Sequence, residues 1–335
     1  MKGIICGTGS AVPVKIIDNH DLAKLVDTND RWIRERTGIV RRHIAGSETT
    51  VSMAAEAAKR ALADAKTDAG EIDLIIVSTI SSNVILPCTA CEVQKEIGAD
   101  NAFCFDLNAA CTGFVLAYQT ACVYLSSGIC RTALVIGSEC LSDLTNWKDR
   151  STCILFGDGA GAAVVRASEG QFYLPALHSD GGRGNALMCA SRYDGRYETL
   201  AAESLVHKRG TDGPFSENSY FMEMDGQAVF KFAVRSVPEV ISEVLEKNHL
   251  QKEEIAWFLL HQANRRIVEA VAKRMEEPLR KFPMNLQEYG NTSSASIPIL
   301  LDEMNQRGMF ESGQKIVLTG FGAGLTWGAS ILEWK

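Results

Sequence analysis

At 335 residues, the chain exceeds the roughly 250–300 residues at which one hydrophobic core stops growing, so two subdomains or one large layered domain are expected. Its hydrophobic residues (46%), charged residues (22%), sparse aromatics (7%) and 28 glycines suit packed α/β layers better than a coiled coil or a disordered chain. A net charge of −7 argues against general nucleic-acid binding, which needs a surplus of positive charge, and no run of about 18 uninterrupted apolar residues marks a membrane span.

The chain opens with Met1-Lys2-Gly3-Ile4-Ile5-Cys6-Gly7-Thr8-Gly9, a short strand entering a glycine turn. This opening lacks the apolar length and cleavage site of a signal peptide, so a cytoplasmic location is expected. An amphipathic helix is predicted near residues 51–65, followed by a strand in Glu71-Ile72-Asp73-Leu74-Ile75-Ile76-Val77-Ser78-Thr79. Gly113 to Leu125 reads as an apolar helix stopping near Gly128, and 133–136 as a further strand. Residues 183–220, rich in Gly, Ser, Asp and Arg, read as a loop or lid. A second amphipathic helix near 237–248 leads into Glu254-Ile255-Ala256-Trp257-Phe258-Leu259-Leu260-His261-Gln262.

These elements repeat. The segment 71–79 has the apolar pattern of 254–262, 131–137 parallels 314–320, and 159–165 parallels 325–331. Two similar halves, 1–170 and 171–335, are therefore expected. Strands as apolar as 74–77 and 133–136 imply sheets covered on both faces by helices, which makes the expected architecture a duplicated five-layer α/β/α/β/α fold.

Ten cysteines are scattered without a repeating framework, and those in apolar runs, such as Cys104, Cys122 and Cys130, read as small buried hydrophobes. Cys88 and Cys91 form a Cys-x-x-Cys, but no second pair or nearby histidine completes a zinc site, and helix spacing accounts for them without metal or redox chemistry.

Three segments carry chemistry: Ala109-Ala110-Cys111-Thr112-Gly113-Phe114, His261-Gln262-Ala263-Asn264 and Gly290-Asn291-Thr292-Ser293-Ser294. A cysteine, a histidine and a carboxamide suit acyl transfer through a thioester. A neutral imidazole and an amide hold a developing enolate oxygen without carrying charge themselves. Cys111 precedes the apolar helix from Gly113, where the dipole and free amides favour thiolate, so a lowered thiol pKa is expected.

Together with Trp-Ile-x-x-Arg-Thr-Gly-Ile at 32–39 and Gly-Phe-Gly-Ala-Gly-Leu-Thr-Trp-Gly at 320–328, these blocks resemble β-ketoacyl-acyl-carrier-protein synthase III in order and spacing. The resemblance runs from Gly3 to the C-terminus. It implies the thiolase fold, a homodimer and the initiating condensation of type II fatty acid synthesis, with a CoA thioester as substrate and no cofactor. By the resemblance, an acyl-CoA primer acylates Cys111, and malonyl-acyl-carrier protein then loses carbon dioxide to an enolate that attacks the thioester. His261 and Asn291 would hold the enolate oxygen, and the backbone amides of Cys111 and Ala323 the oxyanion at the primer carbonyl. Glycine is common in the family where Ala323 stands, but a main-chain amide tolerates the added methyl.

The resemblance further places Phe321, Leu86 and Gly226 along the active site, Leu86 by reaching across the dimer into the partner's acyl pocket. Thr28, Trp32, Arg36, Arg150 and Asn264 match positions that grip CoA. Arg266, Lys273 and Arg274 share one helix face, and Lys231 and Arg235 form an i, i+4 pair, a basic surface suited to an acidic carrier protein. Asn291 separates the chain from elongating synthases, which carry a second histidine there, and from thiolases, which use a second cysteine as base. Three other readings stay open: a specialised ketoacyl synthase of secondary metabolism with an unusual primer, a non-catalytic acyl-CoA or carrier-protein binding module, and a cysteine hydrolase.

Overall fold

The computed structural model describes residues 1–189 and 221–335. Two sheets dominate it. The first has the order Lys2–Ala11, Gly159–Ser168, Thr132–Glu139, Leu74–Ser78 and Phe103–Leu107, with the last three strands parallel and the first two joined antiparallel. The second repeats the pattern as Ala176–Ser179, Thr326–Glu333, Lys315–Gly322 and Ile255–Leu260. The strands paired by sequence repeat occupy matching places in the two orders.

Side-chain alternation assigns each sheet two dry faces. In Leu74–Ser78, Leu74 and Ile76 turn toward the centre of the molecule while Ile75 and Val77 turn outward. Ala133 and Val135 point inward, Leu134 and Ile136 outward. The second sheet divides likewise, with Leu259, Ile316 and Leu318 inward and Phe258, Leu260 and Val317 outward. The central layer is the helices Gly113–Ser126 and Ser296–Gln306, whose Phe114, Tyr118, Leu300 and Leu301 fill the space between the sheets. Thr50–Ala65 and Thr89–Ile97 cover the outer face of the first sheet, and Gly226–Lys247 and Arg265–Arg274 that of the second. This is the five-layer thiolase architecture. Each buried Leu or Ile contributes about 1.5–3 kcal/mol relative to exposure.

One helix differs from its sequence-based bounds. The helix expected near 237–248 is Gly226–Lys247, and it runs straight through Pro238. Proline has no N–H to give the carbonyl four residues back. That carbonyl, Val234 O, instead accepts Arg274 Nη1 at 3.4 Å, so the neighbouring helix supplies the missing donor.

Candidate active site

Cys111 lies in a single 3-10 turn, Ala110–Thr112, that feeds the central helix at Gly113. Ala110 adopts φ +45°, a left-handed conformation uncommon for alanine. The chain can turn here because the opposing strand is glycine where it passes: a Cβ at Gly322 would stand 2.8 Å from Cys111 Cβ and 3.2 Å from its Sγ, and one at Gly320 2.7 Å from Thr112 Cα. The matching turn of the second half, Ser293–Ala295, feeds Ser296–Gln306, and Ser293 has φ +48°. Two strained turns, one from each half, thus meet at the molecular centre.

His261 follows the strand Ile255–Leu260, its N–H donating to Thr319 O at 2.8 Å. Its ring meets Phe321 edge-on, 5.2 Å between centroids, and Phe321 precedes the Gly322 that abuts Cys111. Nδ1 of His261 lies 2.7 Å from Ser296 Oγ, which also accepts the Gln262 N–H at 3.3 Å. After accepting that N–H the serine oxygen keeps one hydrogen and one lone pair, so it can partner Nδ1 in either tautomer and holds the ring in place. Burial pushes the imidazole down to about 3, so it is neutral, as the sequence reading expected.

Asn291 is fixed by its neighbours. Its N–H donates to Leu155 O at 2.8 Å, its carbonyl accepts Gly157 N–H at 3.0 Å, and its side-chain oxygen accepts Ser293 N–H at 2.9 Å. Gly290, with φ +68° and Leu155 O only 2.8 Å from where a Cβ would lie, makes the preceding turn possible.

The thiol runs against expectation. Burial pushes Cys111 up to about 12, and the nearby Glu139 carboxylate adds to the rise. The Ser293 hydroxyl beside the thiol favours the ionised form but does not offset burial. The helix terminus does not lower it as expected, because Cys111 is 7% exposed and an anion there forfeits nearly all its water. Glu139 is itself buried, with its carboxyl pushed up by desolvation, and accepts Ser81 Oγ at 2.6 Å, Ile80 N at 3.1 Å and Ser294 Oγ at 2.8 Å.

The CoA candidates form a second group. The guanidinium carbons of Arg150 and Arg36 lie 5.0 and 5.7 Å from the Trp32 ring centroid, and the buried Thr28 hydroxyl has no hydrogen-bond partner among the described residues. Asn264 ties this group to the next helix: its Oδ1 caps Arg266 N at 2.8 Å and its Nδ2 donates to Arg36 O at 3.0 Å. The basic candidates line the outer helices. Arg266 stacks on Phe230 at 5.2 Å, and Arg235 and Arg274 converge on Glu239, each at 3.5 Å. Lys231 and Arg235 border a groove of about 440 Å³ with Arg183, Phe232 and Trp327, and Lys273 is exposed.

Two candidates are exposed at the surface. Leu86 is 83% exposed beside Val84 and Ile85, outside the chain's own site. Gly226 is the exposed first residue of its helix. Of the expected loop or lid at 183–220, residues 190–220 lie outside the described residues; before them, Leu187–Met188 pairs with Glu223–Met224. Ala323 has no positive φ, so its methyl is accommodated, and its carbonyl accepts Thr326 Oγ1 at 2.9 Å. Ser293, Ser296 and Glu139 escaped the sequence reading. The small polar run after Asn291 was the available signal for the two serines, and for Glu139 it was a carboxylate ending an apolar strand.

Comparison with known proteins agrees over the whole chain. Residues 105–181 match 3-Oxoacyl-[acyl-carrier-protein (ACP)] synthase III, and residues 245–334 match its C-terminal part. A beta-ketoacyl-[acyl-carrier-protein] synthase III of Clostridium acetobutylicum is 46% identical over 335 residues, 98% of each chain. The crystal structure of 3-oxoacyl-[acyl-carrier-protein] synthase III from Aquifex aeolicus is 41% identical, with a TM-score of 0.89 over 99% of this chain and 100% of that one. A priming β-ketosynthase from a polyketide biosynthetic pathway is 34% identical, with a TM-score of 0.90 over 99% and 96%. The chain belongs to the β-ketoacyl-[acyl-carrier-protein] synthase III family of condensing acyltransferases.

Proposed function

We propose that Cys111 takes an acyl group from an acyl-CoA primer and that His261 and Asn291 then drive its condensation with malonyl-acyl-carrier protein. In the first step the Cys111 sulfur bonds to the acyl carbon and CoA leaves with the thiol proton. In the second, carbon dioxide departs, the electron pair of the broken C–C bond becomes an enolate, and the enolate carbon attacks the Cys111 thioester to release a 3-oxoacyl-carrier protein. The enolate survives only if its oxygen is hydrogen-bonded as charge grows. With its hydrogen on Nε2, the neutral His261 ring joins the Asn291 amide as a donor suited to that oxygen, and the backbone amides of Cys111 and Ala323 suit the oxyanion at the primer carbonyl. No cofactor is needed, because the thioester carbonyl itself is the electron sink.

The observation that carries this reading is the anchoring of a neutral imidazole by Ser296 and of a carboxamide by Ser293, whose turn packs against the turn of the buried Cys111. A cysteine hydrolase would need its histidine as a base able to hold a proton, and an imidazole pushed down to about 3 is poorly suited to that.

Around this centre, Trp32 stacks adenine while Arg36 and Arg150 pair with CoA phosphates, and Thr28 and Asn264 complete the grip. Phe321 lines the decarboxylation site and Gly226 its rim. Lys231, Arg235, Arg266, Lys273 and Arg274 steer an acidic carrier protein. The halves 1–170 and 171–335 form a duplicated pair, supported by matching strand orders. The enzyme works in the cytoplasm as a homodimer. Supporting the dimer are the strand Phe103–Leu107, an edge of its sheet with Phe103 exposed, and the exposed run Val84, Ile85 and Leu86, a surface that asks for a partner. Leu86 would then close the partner's acyl pocket and leave more room than a bulkier phenylalanine.

Intact-protein mass spectrometry with acyl-CoAs from acetyl to branched and longer chains, followed by malonyl-carrier protein, tests the whole reading. A mass gain on Cys111 that disappears with release of a 3-oxoacyl product is expected. Acylation by none of them would favour the specialised synthase with a different donor, a reading that the similarity to a polyketide priming enzyme keeps in play.

A further inference from the structure

Cys88 is the N-cap of the helix Thr89–Ile97 and makes no side-chain capping bond there. Cys91 is the third residue inside, and its N–H donates to Cys88 O at 3.0 Å, which closes the turn between them. The two sulfurs are 3.4 Å apart, the Cys88 thiol donating to Cys91. Both residues are partly exposed. The Asp106 carboxylate holds the helix start by accepting Thr89 N and Ala90 N, each at 2.8 Å.

We propose that Cys88 and Cys91 are a redox modification site, closing to an intrachain disulfide by exchange with a low-molecular-weight disulfide of the glutathione type, and that the bond alters primer acceptance by tethering the segment that carries Leu86. The separation lies in the roughly 3–3.5 Å range of a near-attack pair, for which intramolecular reaction is strongly favoured. Shortening 3.4 Å to the about 2.05 Å of an S–S bond needs side-chain rotation while the anchored backbone stays. One thiol attacks the reagent's disulfide and its proton leaves on the expelled thiol. The second thiol then attacks the mixed disulfide and expels the other half with its own proton. Two protein thiols and one disulfide become one protein disulfide and two small thiols, so the protein loses two electrons and two hydrogens. Cys104, the neighbouring thiol, is pushed up to about 12 by burial and does not compete as a thiolate. Burial also raises Cys88, so exchange should be slow at neutral pH and quicken as pH rises.

The effect on primer choice rests on the role proposed above for Leu86, two residues before Cys88; formation of the bond does not. The full chain carrying Cys111→Ala is equilibrated with oxidised and reduced glutathione and read by intact mass and peptide mapping. A loss of two hydrogens is expected, mapped to Cys88 and Cys91, reversed by dithiothreitol, abolished by Cys88→Ser and retained in Cys104→Ser. A stable glutathione adduct in its place, or a bond that survives Cys88→Ser, overturns the site. With Cys111 restored, the ratio of acylation by branched-chain and acetyl-CoA should change by about threefold or more between reduced and oxidised protein, while Cys88→Ser does not respond. An unchanged ratio in protein that carries the bond overturns the effect on primer choice. Acylation absent in both states instead overturns the nucleophile assignment, with the disulfide still read by mass.

Discussion

The side-chain oxygen of Asn291 accepts the backbone N–H of Ser293 at 2.9 Å. That bond decides which end of the amide faces the site: with the oxygen engaged, the NH₂ group is left to donate. Asn291→Asp keeps the shape and the bond to Ser293 but removes the donor. We expect decarboxylation of malonyl-carrier protein to fall by about 10²–10³-fold, while acylation of Cys111 by acyl-CoA stays within a few-fold. Carbon dioxide release and intact mass read the two steps separately, and an equal loss of both would make Asn291 a structural residue.

Ser296 should act through His261. The enolate role needs the ring hydrogen on Nε2, the tautomer favoured when the Ser296 hydroxyl donates to Nδ1; without that hydroxyl the ring is free to place its hydrogen on Nδ1. Ser296→Ala is expected to slow decarboxylation by about tenfold, the equivalent of about 1.4 kcal/mol, with little change in primer acylation. Ser296→Thr should restore much of the rate, and ¹⁵N chemical shifts of the imidazole would report the tautomer directly.

Two titrations should be missing from the neutral range. Alkylation of Cys111 by iodoacetamide needs the thiolate, so with the thiol pushed up to about 12 the rate should climb about tenfold per pH unit from about pH 7 to about pH 10 without a plateau. A plateau below pH 9 would reinstate a helix-lowered thiol. His261, pushed down to about 3, should add no inflection near its ordinary value of about 6.5. The stability sign follows: as pH falls from about 6.5 toward 3, the unfolded chain gains a proton on this histidine that the folded one does not, so stability declines with falling pH. Denaturant titrations of the native protein and His261→Gln, compared at pH 7 and 4, would isolate that slope.

Gly322→Ala tests the packing of the elbow. The new methyl would sit 2.8 Å from Cys111 Cβ, with Thr112 and the central helix behind it. Overpacking of this kind costs about 1–3 kcal/mol, and Cys111 acylation should fall further than stability alone explains because the nucleophile itself is displaced. Thermal melts and acylation rates on one preparation separate the two effects.

The basic surface divides into residues with structural duties and residues without. Lys273→Glu and Arg266→Glu are expected to raise KM for malonyl-carrier protein, most at low salt, and leave acyl-CoA use unchanged. Arg274→Ala should also lower stability by about 0.5 kcal/mol, because Arg274 donates to the Val234 carbonyl that Pro238 leaves without a helix partner. A melting temperature unaffected by Arg274→Ala would remove that structural role.

Apolar periodicity along the chain was enough to read the layered fold and its repeat, because strands such as Leu74–Ser78 must be dry on both faces wherever they lie. The chemistry was legible too: a thiol, an imidazole and an amide in three ordered motifs leave few reactions open. Tertiary structure alone decided how those groups are tuned. Whether Cys111 is raised or lowered depends on how much water the second half of the chain excludes from it, and no local pattern encodes that. The anchoring of the His261 ring and the direction of the Asn291 amide are set by Ser296, 35 residues away, and by Ser293, two residues away. The start of the helix that carries Cys88 and Cys91 is held by an aspartate on the next strand. Residue types and their spacing specify which groups can react, whereas desolvation and hydrogen-bond direction arise only when distant segments close on one another.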